Sequence, residues 1–219
     1  METGKEGDGM LYKSKYKSPL GMITIVCNEK VLLEAGLETQ ACLLAESAQS
    51  ISRDEFATVC GTGAGEAGMK GEKPDLEDMG RKNALELMKR VLNWFDLYFA
   101  GKKPDPRMLP LAPRGSEFRQ IVWQELLEIP YGKTTTYGAI AGTVARKLHK
   151  EKMSAQAVGG AVGHNPVAII IPCHRVVGSN GSLTGYAGGL DIKYKLLRHE
   201  AATRLFPFFQ TFWVDHSFP

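Results

Sequence analysis

The chain has 219 residues, 43% of them hydrophobic and 23% charged, which is ordinary for a globular protein of one large or two small domains. No apolar run reaches the roughly 20 residues that span a bilayer, and the first residues lack the apolar core of a signal peptide. We therefore expect a cytoplasmic protein without a membrane partner. The four cysteines form no C-x-x-C pair, which argues against a disulfide framework and against a zinc ribbon.

The net charge of +3 is unevenly distributed along the chain. Residues 1–113 carry 15 basic and 17 acidic side chains, whereas residues 114–200 carry 11 basic and 6 acidic ones. A basic second half suits a polyanionic partner such as a nucleic acid. An excess of this size is also common in domains that bind no polyanion.

The first half of the chain predicts a small antiparallel sheet packed on a helix. Two strands flank the turn Ser18-Pro19-Leu20-Gly21, and a third is expected at residues 31–37. Residues 58–80 are rich in glycine and acidic residues and predict a loop, whereas residues 81–100 repeat apolar side chains at helical spacing. We place an N-terminal α/β domain at residues 10–103 and an extended, proline-rich linker at residues 104–115.

The second half predicts a mostly helical domain at residues 116–203. Ser116, Thr136 and Ser154 each precede an apolar periodic stretch and are predicted to cap a helix. The helices expected at residues 137–148 and 155–164 are separated by a polar turn, an arrangement that resembles a helix-turn-helix. Asp191 is predicted to cap a last helix ending near His199. No structure is predicted for residues 204–219.

Cys173 is the strongest candidate for a reactive group. The apolar run Ile169-Ile170-Ile171 favours burial, and Pro172 ends it directly before Cys173-His174-Arg175. Neighbouring basic side chains can lower a thiol pKa from its ordinary value of about 8.5. Adjacent side chains of an extended segment point to opposite faces, so His174 could act through a water. The alternative is an inert, buried cysteine, and the segment itself contains no carboxylate to orient the imidazole.

Two further features fit either a structural or a binding role. The helix after Ser154 consists almost entirely of small residues, and each of its glycines costs on the order of 1 kcal/mol relative to alanine. Such a surface permits close approach, either to another protein helix or to a nucleic-acid backbone. Tyr137 follows a run of threonines and is either a half-buried core residue or part of a phosphate contact.

Ordered motifs between residues 118 and 200 resemble those of the O6-alkylguanine-DNA alkyltransferases, also called methylated-DNA–protein-cysteine methyltransferases. The motifs are Phe118-Arg119-Gln120-Ile121-Val122-Trp123, Ile129-Pro130-Tyr131-Gly132, Tyr137, Ala157-Val158-Gly159, Asn165-Pro166, Pro172-Cys173-His174-Arg175-Val176, Gly185-Tyr186-Ala187-Gly188-Gly189-Leu190 and Leu196-Leu197-Arg198-His199-Glu200. Ser18-Pro19-Leu20-Gly21 matches more loosely. The resemblance implies an α+β fold, with a ribonuclease H-like N-terminal domain and a winged-helix-like C-terminal domain containing the helix-turn-helix.

The resemblance also implies roles for individual residues. Cys173 would accept the alkyl group from guanine O6 in a single irreversible turnover, without a metal or small-molecule cofactor. His174 would take the thiol proton through a water, and Glu200 would orient its ring. Tyr137 would donate to guanine N3 and help the nucleotide swing out, and Asn165 would tie the helix-turn-helix to the cysteine segment. The substrate- and DNA-binding positions implied in the same way are Thr136, Gln156, Ala157, Gly160, Arg175, Val176, Tyr186, Ala187 and Gly188.

The implied partner is double-stranded DNA containing O6-alkylguanine or O4-alkylthymine, bound by a monomer that flips the damaged base out of the helix. The chain departs from the family at two places. Gln156 stands where relatives often carry an arginine that fills the vacated base stack, and we expect slower or weaker flipping as a result. The turn at residues 146–153 is longer than usual. Its Arg146, Lys147, Lys150 and Lys152 predict either phosphate contacts or a solvated basic loop.

Two other classes of function remain open from the sequence. A helix-turn-helix protein could recognise alkylated bases without performing chemistry on them. A cysteine hydrolase could use Cys173, His174 and Glu200 and would turn over repeatedly. The intact mass of the protein after incubation with methylated duplex DNA separates these alternatives from an alkyl acceptor.

Overall fold

The computed structural model describes residues 9–40, 42–51 and 76–200. The strands are β1 (Tyr12–Ser18), β2 (Gly21–Cys27), β3 (Leu32–Leu37), β4 (Gln49–Ser50), β5 (Thr135–Thr136) and β6 (Val176–Val177). The α-helices are α1 (Leu76–Phe99), α2 (Glu117–Leu127), α3 (Tyr137–Lys147), α4 (Ala155–Gly163) and α5 (Leu190–His199). None of these helices is long and apolar enough to cross a membrane. The tail at residues 204–219 lies outside the described residues.

The N-terminal sheet has the strand order β3-β2-β1-β4. β1 and β2 form the predicted antiparallel hairpin, paired from Tyr12 with Cys27 to Ser18 with Gly21. β3 is antiparallel to β2, as predicted, whereas the two-residue β4 pairs in parallel with β1 and was not predicted. Side chains of β1 alternate between the core and the lysine-bearing outer face, because successive residues of a strand point to opposite faces.

Helix α1 covers the inner face of this sheet with the buried residues Ala84, Met88, Val91 and Phe95. The prediction that the loop extends to residue 80 is wrong, since residues 76–80 are already helical. Asp78, one of the acidic residues that suggested a loop, lies in the first turn of the helix, where the helix dipole favours negative charge. The remainder of the predicted loop, residues 58–75, lies outside the described part of the chain.

The segment predicted as a linker runs along the edge of β3. Leu32 donates its N–H to Pro110 O at 2.8 Å, and Ala112 N–H returns to Leu32 O at 2.9 Å. The residues before the cysteine use the same strand, because Ala168 N–H donates to Ala35 O at 2.7 Å. β3 is therefore the seam at which both halves of the chain join, and one continuous apolar core extends across it.

The three helix caps predicted in the second half are confirmed. Ser116 Oγ accepts from Arg119 N, Thr136 Oγ1 from Ala139 N, and Ser154 Oγ from both Gln156 N and Ala157 N. Helices α3 and α4 pack against each other and against α2 as a helix-turn-helix. The mixed α+β architecture agrees with the predicted fold class.

The predicted cap at Asp191 is wrong. The residue that precedes α5 is Gly189, whose φ of 92° lies in the left-handed region that favours glycine. Asp191 lies inside the first turn and forms an ion pair with Lys195 at 2.8 Å. The backbone geometry of the turn, and not a side-chain cap, therefore determines where α5 begins.

The Ser154 cap can be tested by removing its side-chain oxygen. We expect Ser154→Ala to lower the free energy of unfolding by about 1 kcal/mol, because two N–H groups of α4 lose their acceptor. Ser154→Asp keeps an acceptor at this position and should retain most of the stability. Urea denaturation measures both, and equal midpoints for Ser154→Ala and the parent protein would show that the cap contributes nothing.

Candidate active site

The cysteine segment follows a tightly packed and strained stretch of backbone. Val167 to Ile171 are all buried, and Ile169 has a φ of 70°, an unfavourable conformation for a β-branched residue. Cys173 N–H donates to Ile171 O at 2.8 Å across Pro172, and Cys173–Arg175 then forms a 3-10 turn. The segment is therefore a turn, and the extended conformation expected from the sequence is wrong.

Asn165 connects the end of α4 to the sulfur of Cys173. Its Nδ2 donates to Ile171 O at 2.8 Å and to Cys173 Sγ at 3.1 Å. Its Oδ1 accepts from Val167 N at 3.1 Å. Because both ends of the amide are used, Asn165 fixes the position of the sulfur relative to the helix-turn-helix.

The thiol of Cys173 is held in its protonated form. Only 4% of the residue is exposed, and this burial raises the pKa of Cys173. The hydrogen bond from Asn165 and the charge of Lys193 lower the pKa but do not outweigh burial. The sulfur therefore needs a base before it can act as a thiolate nucleophile.

His174, which the family resemblance implies as that base, is paired with Glu200. The residue is fully buried, and its Nε2 lies 2.8 Å from Glu200 Oε1. Burial lowers the pKa of His174, although Glu200 opposes the shift. With Nε2–H directed at the carboxylate, the neutral ring keeps its lone pair on Nδ1, which has no hydrogen-bond partner among the described residues.

Glu200 is ionised although it is buried. Burial alone would raise the pKa of Glu200, but His174 and Arg175 outweigh it and hold the pKa well below its ordinary value. Arg175 donates Nε to Oε2 and Nη2 to Oε1, both at 2.9 Å. Gly132 N–H adds a further bond to Oε2 at 3.0 Å. The carboxylate is thus surrounded by donors.

The structure does not support the predicted substrate- or DNA-binding role for Arg175. Only 5% of the residue is exposed, and its remaining nitrogen, Nη1, donates to Ile129 O at 2.6 Å. All three nitrogens of the guanidinium donate to acceptors inside the protein, and its burial keeps it away from a phosphate or base. Its role is to neutralise Glu200.

Lys193 on α5 was not identified from the sequence. It is fully buried, and its Nζ donates to Thr184 O at 2.8 Å and lies 5.9 Å from the centre of the Tyr137 ring. Burial lowers the pKa of Lys193 to about 8, with an opposing effect from Cys173. A lysine three and four residues before Leu196 and Leu197, on the apolar side of a helix, is the signal that could have found it.

The loop between β6 and α5 lies close to the sulfur. Tyr137 OH donates to Thr184 O at 2.8 Å, with Gly185 O at 3.2 Å. The hydroxyl of Tyr186 is buried without a hydrogen-bond partner in the described structure, and burial together with Cys173 raises its pKa well above the ordinary value. A Cβ at Gly188 would come within 2.7 Å of the Tyr186 ring, so any larger residue there would displace that ring. Ala187 is exposed.

The predicted DNA-binding positions of α4 lie on its outer face. Gln156, Ala157 and Gly160 are exposed, whereas Val158, Ala161 and Val162 pack inward. A Cβ added at Gly160 or Gly163 would meet no atom within 4 Å.

Two other predicted positions belong to the small parallel β5–β6 sheet. Thr136 is half-buried, and its hydroxyl serves as the cap of α3. Val176 is buried and donates its N–H to Cys173 O. In the basic turn, Lys147 pairs with Glu125, and Arg146 donates to Thr143 Oγ1 at 3.0 Å.

The chain matches family models over both of its halves. Residues 11–113 match the ribonuclease-like domain of 6-O-methylguanine DNA methyltransferase, and residues 117–202 match its DNA binding domain. A methylated-DNA–protein-cysteine methyltransferase of Methanosarcina acetivorans is 46% identical over 137 residues, covering 61% of this chain and 82% of the relative. The Haemophilus influenzae relative of the same name is 42% identical over 120 residues, covering 55% and 64%.

Solved structures agree with these matches. The O6-methylguanine methyltransferase of Mycobacterium tuberculosis has a TM-score of 0.62 at 31% identity, covering 88% of this chain and 94% of that one. The same organism's protein in complex with DNA has a TM-score of 0.60 at 31% identity, covering 87% and 93%.

The donor role of Asn165 can be tested by reversing its polarity. Asn165→Asp places an oxygen against Ile171 O and Cys173 Sγ, so we expect a loss of about 3 kcal/mol in the free energy of unfolding. Asn180→Asp is the matched control, because the exposed Asn180 accepts from Ser182 N and a carboxylate can do the same. Urea denaturation gives both values, and equal losses would refute the assigned orientation.

The ionised Glu200 predicts a specific acid dependence of stability. Its pKa in the folded protein lies below the ordinary value of 4.5, so the unfolded chain takes up a proton that the folded protein does not. The stabilisation is complete above about pH 4.5 and is lost progressively at lower pH. The difference in unfolding free energy between the parent protein and Glu200→Gln should therefore shrink from neutral pH towards pH 3. A constant difference across this range would contradict an ionised, paired Glu200.

Proposed function

Because the chain belongs to the methylated-DNA–protein-cysteine methyltransferase family, we propose that it repairs DNA by transferring the alkyl group of O6-alkylguanine irreversibly to Cys173. The observation that carries this proposal is the buried sulfur held by Asn165 beside a neutral histidine that is paired with Glu200. The protein would act as a monomer on duplex DNA, and O4-alkylthymine offers the same kind of alkyl carbon as a second substrate.

The resting protonation states define the first step. Nδ1 of the His174 ring has no hydrogen-bond partner among the described residues, the Cys173 sulfur included, so a bridging water would carry the thiol proton to it. Glu200 stabilises the imidazolium that forms, as a carboxylate does in a catalytic triad. The thiolate then exists only while the base holds its proton.

The second step moves the alkyl group. The sulfur attacks the alkyl carbon, the S–C bond forms, and the C–O6 bond breaks with its electron pair going to the guanine. Tyr137 would turn its hydroxyl from Thr184 O to guanine N3 and stabilise the charge that develops on the leaving base. The product is a thioether on Cys173, and reversal would require a strong nucleophile at the same carbon. One turnover per protein molecule follows.

The outer face of α4 supports DNA binding. Its small side chains lie on the exposed side of the helix, and an added Cβ at Gly160 or Gly163 would touch nothing in the described protein. Packing against another helix of this chain therefore does not explain the small residues. Close approach to a DNA backbone does, and the target base would be flipped from there towards Cys173.

The intact mass of the protein tests this function. After incubation with a duplex containing O6-methylguanine, the protein should gain one methyl group, and peptide mapping should locate it on Cys173. Cys173→Ala is the control and should gain none. Tight binding without a mass change would indicate a sensor of alkylated bases, and repeated product release from unmodified protein would indicate a hydrolase. Either result would overturn the proposal.

The departure at Gln156 predicts a gain of function. Gln156 is exposed in the first turn of α4, where an arginine could fill the base stack and add a charge towards the phosphates. We expect Gln156→Arg to raise both the single-turnover rate and the duplex affinity several-fold, and Gln156→Ala to lower them. Rapid-quench kinetics and fluorescence anisotropy measure the two quantities. Identical values for the arginine variant and the parent protein would refute a stacking role at this position.

A further inference from the structure

We propose that Tyr98, on helix α1 of the N-terminal half, is a positioning residue for alkyl transfer, because its hydroxyl holds the Glu200 carboxylate that orients His174. The inference rests on the proposed function of Cys173 as alkyl acceptor. It makes the chemistry of the C-terminal half depend on a side chain that lies 102 positions away in the sequence.

The contact is short and buried. Tyr98 OH donates to Glu200 Oε1 at 2.8 Å, and only 1% of Tyr98 is exposed. The same oxygen lies 2.8 Å from His174 Nε2 and 2.9 Å from Arg175 Nη2. Among the donors that the described residues offer to this carboxylate, Tyr98 is the one that precedes residue 117. The N-terminal half thus contributes directly to the oxygen that the catalytic imidazole uses.

A neutral phenol at this position orients the Glu200 carboxylate without reducing its attraction for the His174 imidazolium, which a second cation would do. Arg175 already balances the negative charge of Glu200, and another cation would weaken the attraction between the carboxylate and the imidazolium that forms during proton transfer. Tyr98 adds a neutral hydrogen bond that fixes the plane of the carboxylate and leaves its charge available to His174. Burial and then the nearby Glu200 raise the pKa of Tyr98 well above its ordinary value, so it remains a donor.

The Tyr98 ring is itself firmly held. It stacks on Trp94 with ring centres 5.3 Å apart, and it meets the edge of Tyr131 at 5.9 Å. Trp94 Nε1 donates to Asp105 O at 3.2 Å, and His199 Nε2 lies 2.8 Å from Tyr98 O. Both the ring and the backbone of Tyr98 are therefore tied to the C-terminal half next to Glu200, which limits the freedom of its hydroxyl.

The test uses the full-length Tyr98→Phe variant, which keeps the ring and removes only the hydroxyl. The single-turnover rate of methyl transfer from a methylated duplex should fall about tenfold, the effect of losing one hydrogen bond to a charged group. Duplex affinity, measured in a Cys173→Ser background, should not change. In ¹⁵N-histidine-labelled protein, the His174 ring should shift from the Nε2–H form of the parent towards a mixture of tautomers.

Tyr16→Phe is the matched control. Tyr16 lies on β1 and stacks on Phe95 of helix α1, with ring centres 5.2 Å apart. Its hydroxyl donates to Asp96 Oδ1 at 2.8 Å and not to Glu200. Removing this hydroxyl disturbs the same aromatic cluster but leaves the hydrogen bonds of the Glu200 carboxylate in place. We expect the parent rate and an unchanged His174 spectrum.

The outcomes separate the inference from the proposed function. A parent-like rate with an unchanged His174 spectrum in Tyr98→Phe would overturn the positioning role, and so would an equal loss of rate in both phenylalanine variants. If the parent protein itself takes no methyl group from DNA, the proposed function fails. The His174 spectrum of Tyr98→Phe then still decides whether Tyr98 positions the histidine–carboxylate pair.

Discussion

A buried carboxylate determines how this site is assembled. Removing a carboxylate from water costs several kcal/mol unless charge and hydrogen bonds compensate, and Glu200 meets that requirement with Arg175, His174, Tyr98 and the N–H of Gly132. These partners come from three separate stretches of the chain, around Tyr98, Gly132 and His174-Arg175, so folding must bring the stretches together around Glu200. The backbone of Gly132 packs directly against that of Glu200, since an added Cβ would lie 2.8 Å from Glu200 O, and its φ of +71° also favours glycine.

The same burial favours the protonated thiol of Cys173 at rest. Burial raises the pKa of Cys173 and lowers that of His174, so the proton stays on sulfur and the imidazole remains a free base. Lys193, with its pKa lowered to about 8, adds positive charge near the sulfur that favours the thiolate once it forms. The proposed acceptor would be consumed by its own reaction and would benefit from this restraint, because an exposed thiolate would be lost to other electrophiles.

The sequence was most informative where interactions are local. The caps at Ser116, Thr136 and Ser154 satisfy N–H groups two or three residues ahead, and all three are present. The prediction that Asp191 caps α5 was wrong because the positive φ of Gly189 sets the start of the helix, and a backbone angle cannot be read from a sequence.

Contacts between residues that are far apart in the chain could not be predicted from local sequence patterns. Arginine is usually exposed, and the partner that allows Arg175 to be buried, Glu200, lies 25 residues away. Only the family resemblance pointed to that glutamate. Tyr98 could not be connected to the site at all, since nothing near it in the chain indicates its partner. The most direct test of Cys173 as a consumable acceptor is the amount of guanine that the protein regenerates from an excess of methylated duplex. It should stop at one equivalent, with Cys173 alkylated; continued release beyond one equivalent, or none, would contradict a consumable acceptor.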